Sequence, residues 1–302
     1  MLTRRDLLRT AGFAVVGSRI HNLTPFTRSQ PDPKFCLFSK HLPELGWSDV
    51  GKVVKELGFD GVDLTVRAGG HVLPERAATD LPRAIDAIRA HGLSVPMVTT
   101  ELTRADDPNA KPLLEAAARN GARYFKTGYW RFTASRDVRA QVAAAGEALA
   151  GLAALARNCG IEMGFHNHAG YIGGALWDIA PAMDRLDPRW AGYYFDPRHA
   201  VAEGGGGAWK AAMNMVAPRL KMVALKDFVW EKGPKGWQIV NCPLGDGQVD
   251  WRWVATTLRT ANFSGPISLH LEYDIPGATP QERLSRTLEA ARRDLAVARK
   301  FL

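Results

Sequence analysis

Ionisable side chains in this chain gather at the ends of short apolar segments. One segment closes Phe165-His166-Asn167-His168, another Phe195-Asp196-Pro197-Arg198-His199, a third Leu225-Lys226-Asp227 and a fourth His270-Leu271-Glu272-Tyr273-Asp274. Earlier in the chain, Lys126 precedes Tyr129-Trp130-Arg131, Glu101 follows Val95–Thr100, and Arg67, His71 and Glu75 follow Gly61–Val66. Side chains alternate along a strand, so His166 and His168 share a face, as do His270 and Glu272. Two imidazoles with one or two carboxylates suit Mn2+, Zn2+, Co2+ or Fe2+, with positions left for substrate oxygens. Such an ion chelates vicinal hydroxyl and carbonyl oxygens, lowers the hydroxyl pKa and polarises the carbonyl. A carboxylate or lysine beside it then moves a proton from carbon. Each residue alone also has a plain reading. A strand-end histidine is commonly a hydrogen-bonded structural group, Asp before Pro starts a turn, and Lys226-Asp227 reads as a surface ion pair. The plain reading weakens jointly, because five of the eight histidines (71, 166, 168, 199 and 270) fall at predicted strand ends or in the loops after them.

The elements that must position these groups alternate. Apolar runs predict strands at Phe35–Ser39, Gly61–Val66, Val95–Thr100, Ala122–Thr127, Ile161–His168, Ala191–Asp196, Leu220–Phe228 and Gly265–Tyr273. Helical periodicity predicts helices at Ser48–Leu57, Asp80–His91, Asn109–Asn120, Ser135–Asn158, from Trp177, after Gly207, at Trp251–Asn262 and at Thr279–Leu302. Gly92 and Gly121 end two of them, and a third ends near Gly160. Eight strand-then-helix units imply parallel pairing and an α/β fold, a (β/α)8 TIM barrel in a single domain over residues 35–302. The rival is an open doubly wound sheet, whose GxGxxG would follow the first strand. No such motif follows Phe35–Ser39, and Gly204–Gly207 alone is a weak phosphate signal. In a barrel the site lies at the C-terminal strand ends, where these groups fall.

At 46% hydrophobic and 23% charged, the 302 residues exclude a disordered, collagen-like or coiled-coil chain. Cys36, Cys159 and Cys242 lack the spacing of a zinc knuckle or disulfide framework. The net charge of +8 is concentrated at the start: residues 1–34 hold six basic and two acidic groups, leaving 33 basic and 29 acidic, a net of +4. Nucleic acid therefore loses most of its support as a partner. No stretch approaches the ~18 uninterrupted apolar residues of a membrane span, so no stable membrane insertion is expected. Thr3-Arg4-Arg5-Asp6-Leu7-Leu8-Arg9 precedes the apolar run Ala11–Gly17 and resembles a twin-arginine export signal. Residues 1–34 are expected to be export leader and linker, and the location periplasmic.

From residue 35 on, the chain resembles the sugar phosphate isomerase/epimerase family, the xylose-isomerase-like TIM barrels. The likeness rests on Gly61–Val66 with Gly70–Glu75, Gly164-Phe-His-Asn-His168, Phe195-Asp-Pro-Arg-His199, Leu225-Lys-Asp227, Pro243-Leu-Gly-Asp-Gly247 and Ile267–Tyr273. The resemblance implies one divalent metal, Mn2+ first in expectation, held by a Glu, an Asp, a His and a second Glu from the last four strands. Asp196 matches the Asp, and His199 a substrate contact. His166 stands at the first Glu position, Ala224 at the His position, and His270 at the last Glu position with Glu272 two residues on. The remaining metal triad is His166, Asp196 and His270. Glu272, Lys226 and Glu101 are the expected acid/base groups, and His199, Arg67, His71, Glu75, Trp130, Lys126 and His168 the expected substrate contacts. The activity implied is isomerisation or epimerisation of a sugar or keto-sugar, a small-molecule carbohydrate, with a homo-oligomer left open. The changed ligands keep a 3-keto-glycoside lyase or hydrolase, a dehydratase, and a non-catalytic sugar-binding protein in view. A nuclease of the endonuclease IV branch needs more ligands than the sequence places.

Overall fold

The computed structural model describes residues 33–302. The leader motif and nearly all of the predicted linker lie outside the described residues. Eight strands close into a parallel barrel: β1 (Phe35–Phe38), β2 (Gly61–Thr65), β3 (Ser94–Thr99), β4 (Tyr124–Lys126), β5 (Glu162–His166), β6 (Ala191–Phe195), β7 (Leu220–Leu225) and, after a hairpin, β10 (Ile267–Leu269), which pairs with both β7 and β1. Helices α1 (Trp47–Leu57), α2 (Ala77–Arg89), α3 (Ala110–Arg119), α4 (Val138–Cys159), α5 (Ala180–Met183), α6 (Pro197–Val216), α7 (Trp251–Thr260) and α8 (Pro280–Phe301) connect the strands. The expected single-domain TIM barrel is what forms.

Period-two alternation divides each strand between two environments. Phe125, Met163, Phe165, Tyr193, Phe195, Val223, Leu225, Ile267 and Leu269 belong to the large core between barrel and helices. Met97, Tyr124, Tyr194, Met222 and Ala224 form a separate buried cluster inside the barrel. Gly164 makes room there, because a Cβ on it would sit 2.0 Å from the Met222 methyl. On six of the eight strands the next inward residue, one step nearer the C-terminal end, is polar: Thr99, Lys126, His166, Asp196, Lys226 and His270, all nearly inaccessible.

Two elements differ from expectation. The run Leu220–Phe228 is not one strand. β7 stops at Leu225, and Asp227 opens an antiparallel hairpin, β8 (Asp227–Gly233) and β9 (Gly236–Cys242). The Asp227 carboxylate anchors it, accepting from the backbone N–H groups of Phe228, Gly245 and Val249 and from the Trp251 indole at 2.8 Å. Asp227 therefore stabilises a loop and makes no surface pair with Lys226. The second difference is α6, which begins at Pro197 rather than after Gly207, with Asp196 as N-cap accepting from the His199 N–H at 3.1 Å. Gly205, at φ 57° and ψ −162°, kinks it, so the glycine run marks an interruption and not a start. By length and composition alone α4 could cross a membrane, but its Ala145, Leu149, Leu152 and Ala156 pack at helical spacing into the core. All three cysteines are free thiols.

Candidate active site

A cavity of about 300 Å³ opens at the C-terminal end of the barrel. Its wall includes Lys126, His166, His168, His199, Lys226, His270, Glu272 and Arg67. Behind His166, His199 and Lys226 of this wall lies Asp196, fully buried and not itself part of the lining. Its Oδ2 lies 3.2 Å from His166 Nε2, 3.1 Å from Lys226 Nζ and 3.7 Å from His199 Nε2. Asn167 fixes its backbone from both sides, accepting from the Asp196 N–H at 2.8 Å and donating to its carbonyl at 3.0 Å. Burial alone would raise the Asp196 pKa, but the Lys226 ammonium and the two imidazoles outweigh it and hold the carboxyl well below its usual range.

The partners set the imidazole tautomers. A carboxylate only accepts, so His166 donates from Nε2 to Asp196, and its Nδ1 accepts from the Tyr129 hydroxyl at 3.2 Å. Arg198 only donates, so His199 accepts on Nδ1 at 2.9 Å and carries its proton on Nε2. Tyr194 donates to Asp63 Oδ2 at 3.3 Å and lies 3.0 Å from His270 Nε2, which therefore holds the proton and leaves Nδ1 with a free lone pair. That Nδ1 is buried without a hydrogen-bond partner, 3.9 Å from Glu272 Oε1. Burial keeps all three rings neutral: it pushes His166 down to about 3 and holds His199 and His270 well below the usual histidine range. Glu272 pairs with Lys40 at 3.1 Å. Burial would raise its pKa, but Lys226 and Lys40 bring it below the usual value, so it is a carboxylate at neutral pH.

The donor set accommodates a divalent ion. His166, Asp196 and His199 each offer an atom within 4.8 Å of the others, two imidazoles and one carboxylate with open positions. His199 Nε2 is buried without a hydrogen-bond partner. The Lys226 ammonium, already on Asp196 Oδ2, shows that this oxygen takes a positive charge. Ligation through Nε2 requires both rings to give up that proton, so binding would release protons or shift the tautomers. His270 was the expected third ligand. It stands outside this group, with its Nε2 held by Tyr194 at 3.0 Å.

Several expected contacts sit elsewhere. Glu101 is exposed at the rim, 3.4 Å from Arg67, and does not line the cavity. Glu75 is exposed on the turn before α2. Trp130 stacks on Phe165 of the outer core, while Tyr129 beside it takes the cavity side. His71 is tied to the Leu42 carbonyl at 3.1 Å and lines a separate recess of about 50 Å³. His168 does line the cavity, with its ring 3.9 Å from that of His199. The sequence reading missed Asp63, Tyr194 and Asn241. Asp63 is buried among Thr99, Ser268 and Tyr194, and burial pushes it up to about 6. An acid in the middle of the apolar strand Gly61–Val66 was its only signal. Asn241, on β9, faces the cavity and accepts from Arg198 at 2.6 Å.

Fold and site define a parallel eight-stranded barrel enclosing a polar, sugar-sized chamber. The chain belongs to the xylose isomerase-like TIM barrel family, whose model matches residues 52–299. It is 28% identical over 143 residues to an inosose dehydratase of Bacillus velezensis, across 43% of this chain and 47% of the relative, so it spans about half the length of the curated relative it matches. Among solved structures it superposes on 3-keto-D-glucoside 4-epimerase from E. coli with TM-score 0.65 at 17% identity, covering 89% of this chain and 100% of the other. It also superposes on the IOLI protein with a bound zinc atom, TM-score 0.69 at 14% identity, covering 89% and 99%. At those identities the likeness is one of fold.

Proposed function

We propose that the protein is an enzyme that moves a proton at a carbon beside a carbonyl in a sugar or oxidised sugar, an isomerase or epimerase. Dehydration or elimination of a keto-sugar on the same groups is the second reading, favoured by the dehydratase likeness over residues shared with this barrel. The observation that carries the proposal is the pair His270 Nδ1 and Glu272 Oε1, two neutral-pH proton acceptors 3.9 Å apart on one wall of a chamber of about 300 Å³. That volume is at the small end of ligand pockets and matches a monosaccharide. A non-catalytic sugar site has little use for so many desolvated ionisable groups.

In this reading His166, Asp196 and His199 would hold the divalent ion, with Mn2+ the first to test. A bound ion there would grip substrate hydroxyl oxygens and lower their pKa. Glu272, ionised and paired with Lys40, accepts the carbon-bound proton, and His270 Nδ1 is the second acceptor on that wall. Lys226 supplies positive charge to substrate oxygens from 3.1 Å beyond Asp196. Arg198, braced by Asn241, and His168 line the remaining wall and orient hydroxyls.

The test is incubation with free, phosphorylated and 3-keto sugars in D2O, read by NMR. Deuterium should enter at the carbon beside the carbonyl. Glu272→Gln keeps the shape but cannot take the proton, and exchange should fall about 10²–10⁴-fold. Sugar binding with no exchange, elimination or hydrolysis would make the protein a binding module.

A further inference from the structure

Lys126 ends β4 and points into the barrel, since Tyr124 two residues back belongs to the interior cluster and Phe125 between them to the outer core. It is 2% exposed and lines the cavity. Lysines are almost never this buried unless paired. Lys226 has Asp196, and Lys221 has Glu162. Among the described residues no carboxylate lies within 4.0 Å of Lys126 Nζ, and Nζ makes no hydrogen bond to protein. Its nearest partner is the Tyr129 ring face, 3.6 Å from the centroid. A ring face offers only ~0.5–2 kcal/mol to an ammonium. The charged groups around it are Arg67, Lys226, Glu101 and Asp63. Burial, with the cations Arg67 and Lys226 adding to it, brings the ammonium down to about 7, so much of it is free amine at neutral pH. Desolvation next to other cations is a known way to make a lysine nucleophilic.

We propose that Lys126 is the amine on which the substrate carbonyl forms an imine: it is the one lysine that faces the chamber with no carboxylate or hydrogen-bond partner to occupy it. The proposal rests on the reading that the substrate carries a free carbonyl. Nζ adds to the carbonyl carbon, the C–N bond forms, and the C=O π pair moves to oxygen, which takes one proton from nitrogen. The C–O bond of this carbinolamine then breaks, and the hydroxyl leaves as water with the second amine proton. A proton from solvent makes the neutral imine an iminium. The iminium draws electrons from the neighbouring carbon and acidifies the C–H whose proton Glu272 takes, while an ion held by His166, Asp196 and His199 would grip hydroxyl oxygens. The two devices act on different atoms of one substrate.

Trapping with dihydroxyacetone and cyanoborohydride at pH 7 tests this, since hydride delivery to the iminium carbon leaves a stable secondary amine. Peptide mass mapping should find the adduct at Lys126 forming at least about tenfold faster than at the exposed Lys52 and Lys55. Lys126→Met keeps the side-chain length without an amine and should lose that adduct alone. Adducts spread over exposed lysines with Lys126 no faster would overturn the proposal. So would deuterium exchange into a sugar by a wild-type protein that shows no Lys126 adduct. A Lys126 adduct in a protein that exchanges no deuterium into any sugar supports the reactive amine and sinks the sugar assignment instead.

Discussion

Asp196→Asn isolates the central ion pair, because asparagine keeps the size and can still accept the His199 N–H that starts α6. The charge facing Lys226 is lost. At 3.1 Å and an effective dielectric of 20, two unit charges attract by about 5 kcal/mol. Removing one partner of a buried pair typically costs about 3–5 kcal/mol, because the other charge is left in the interior without compensation. Unfolding entropy is about 2.1 cal/mol/K per residue, or roughly 0.57 kcal/mol/K for about 270 residues, so the melting temperature should fall by about 5–9 °C. The assay is calorimetry at pH 7 in chelator, beside Lys226→Met and the double variant. Replacing both partners removes the stranded ammonium, and the double variant should regain most of the loss. A melting temperature within about 1 °C of wild type for Asp196→Asn would refute the reasoning. So would two single losses that add within about 0.5 kcal/mol in the double variant.

Three further outcomes are expected. Glu272→Gln should leave metal occupancy intact while exchange falls; a parallel loss of metal would make Glu272 a ligand. Metal-free protein should lose stability as pH drops below about 6.5, the ordinary histidine value. His166 at about 3 and His41 at about 4 bind fewer protons folded than unfolded in that window. Asp63 and Asp294, each raised to about 6, work in the opposite direction between about 3.9 and that value, but are outnumbered once the lowered His71, His168, His199 and His270 are counted with His166 and His41. Melting temperatures that stay flat from pH 7 to pH 5 would contradict these shifts. Finally, residues 1–34 are proposed to direct export, and a chain starting near Lys34 should fold and melt as the full chain does; unfolding on truncation would make the leader part of the structure.

The barrel was legible in the sequence because its punctuation is local. Gly58 and Gly160 stand at helix C-caps in the left-handed region, and each predicted apolar run covers one barrel strand to within a residue. The hairpin was not legible, since Leu220–Phe228 reads as continuous and nothing local shows that Lys226 turns inward and Asp227 toward a loop. The start of α6 was hidden by glycines that interrupt it. Within the site, Asp196, His166 and Lys226 could be found because they sit at strand ends. Asp63 and Tyr194 lie one layer deeper, where a polar side chain among apolar neighbours reads as core. His270 was expected beside Asp196, and a sequence cannot show that Tyr194 reaches its Nε2.

Five polar residues at the strand ends have a chain neighbour that faces the other way: Phe125 beside Lys126, Phe165 beside His166, Phe195 beside Asp196, Leu225 beside Lys226, Leu269 beside His270. The outward residue fixes the strand through packing with the helices, and the inward residue is left to chemistry. Mutational drift can then act on the two rows separately. Exchange of an inward group leaves the packing of the outward neighbour against the helices in place, so its cost in stability comes from the lost polar partner, as at Asp196. His166, Ala224 and His270, the positions at which the resemblance led to other ligands being expected, all face the barrel interior.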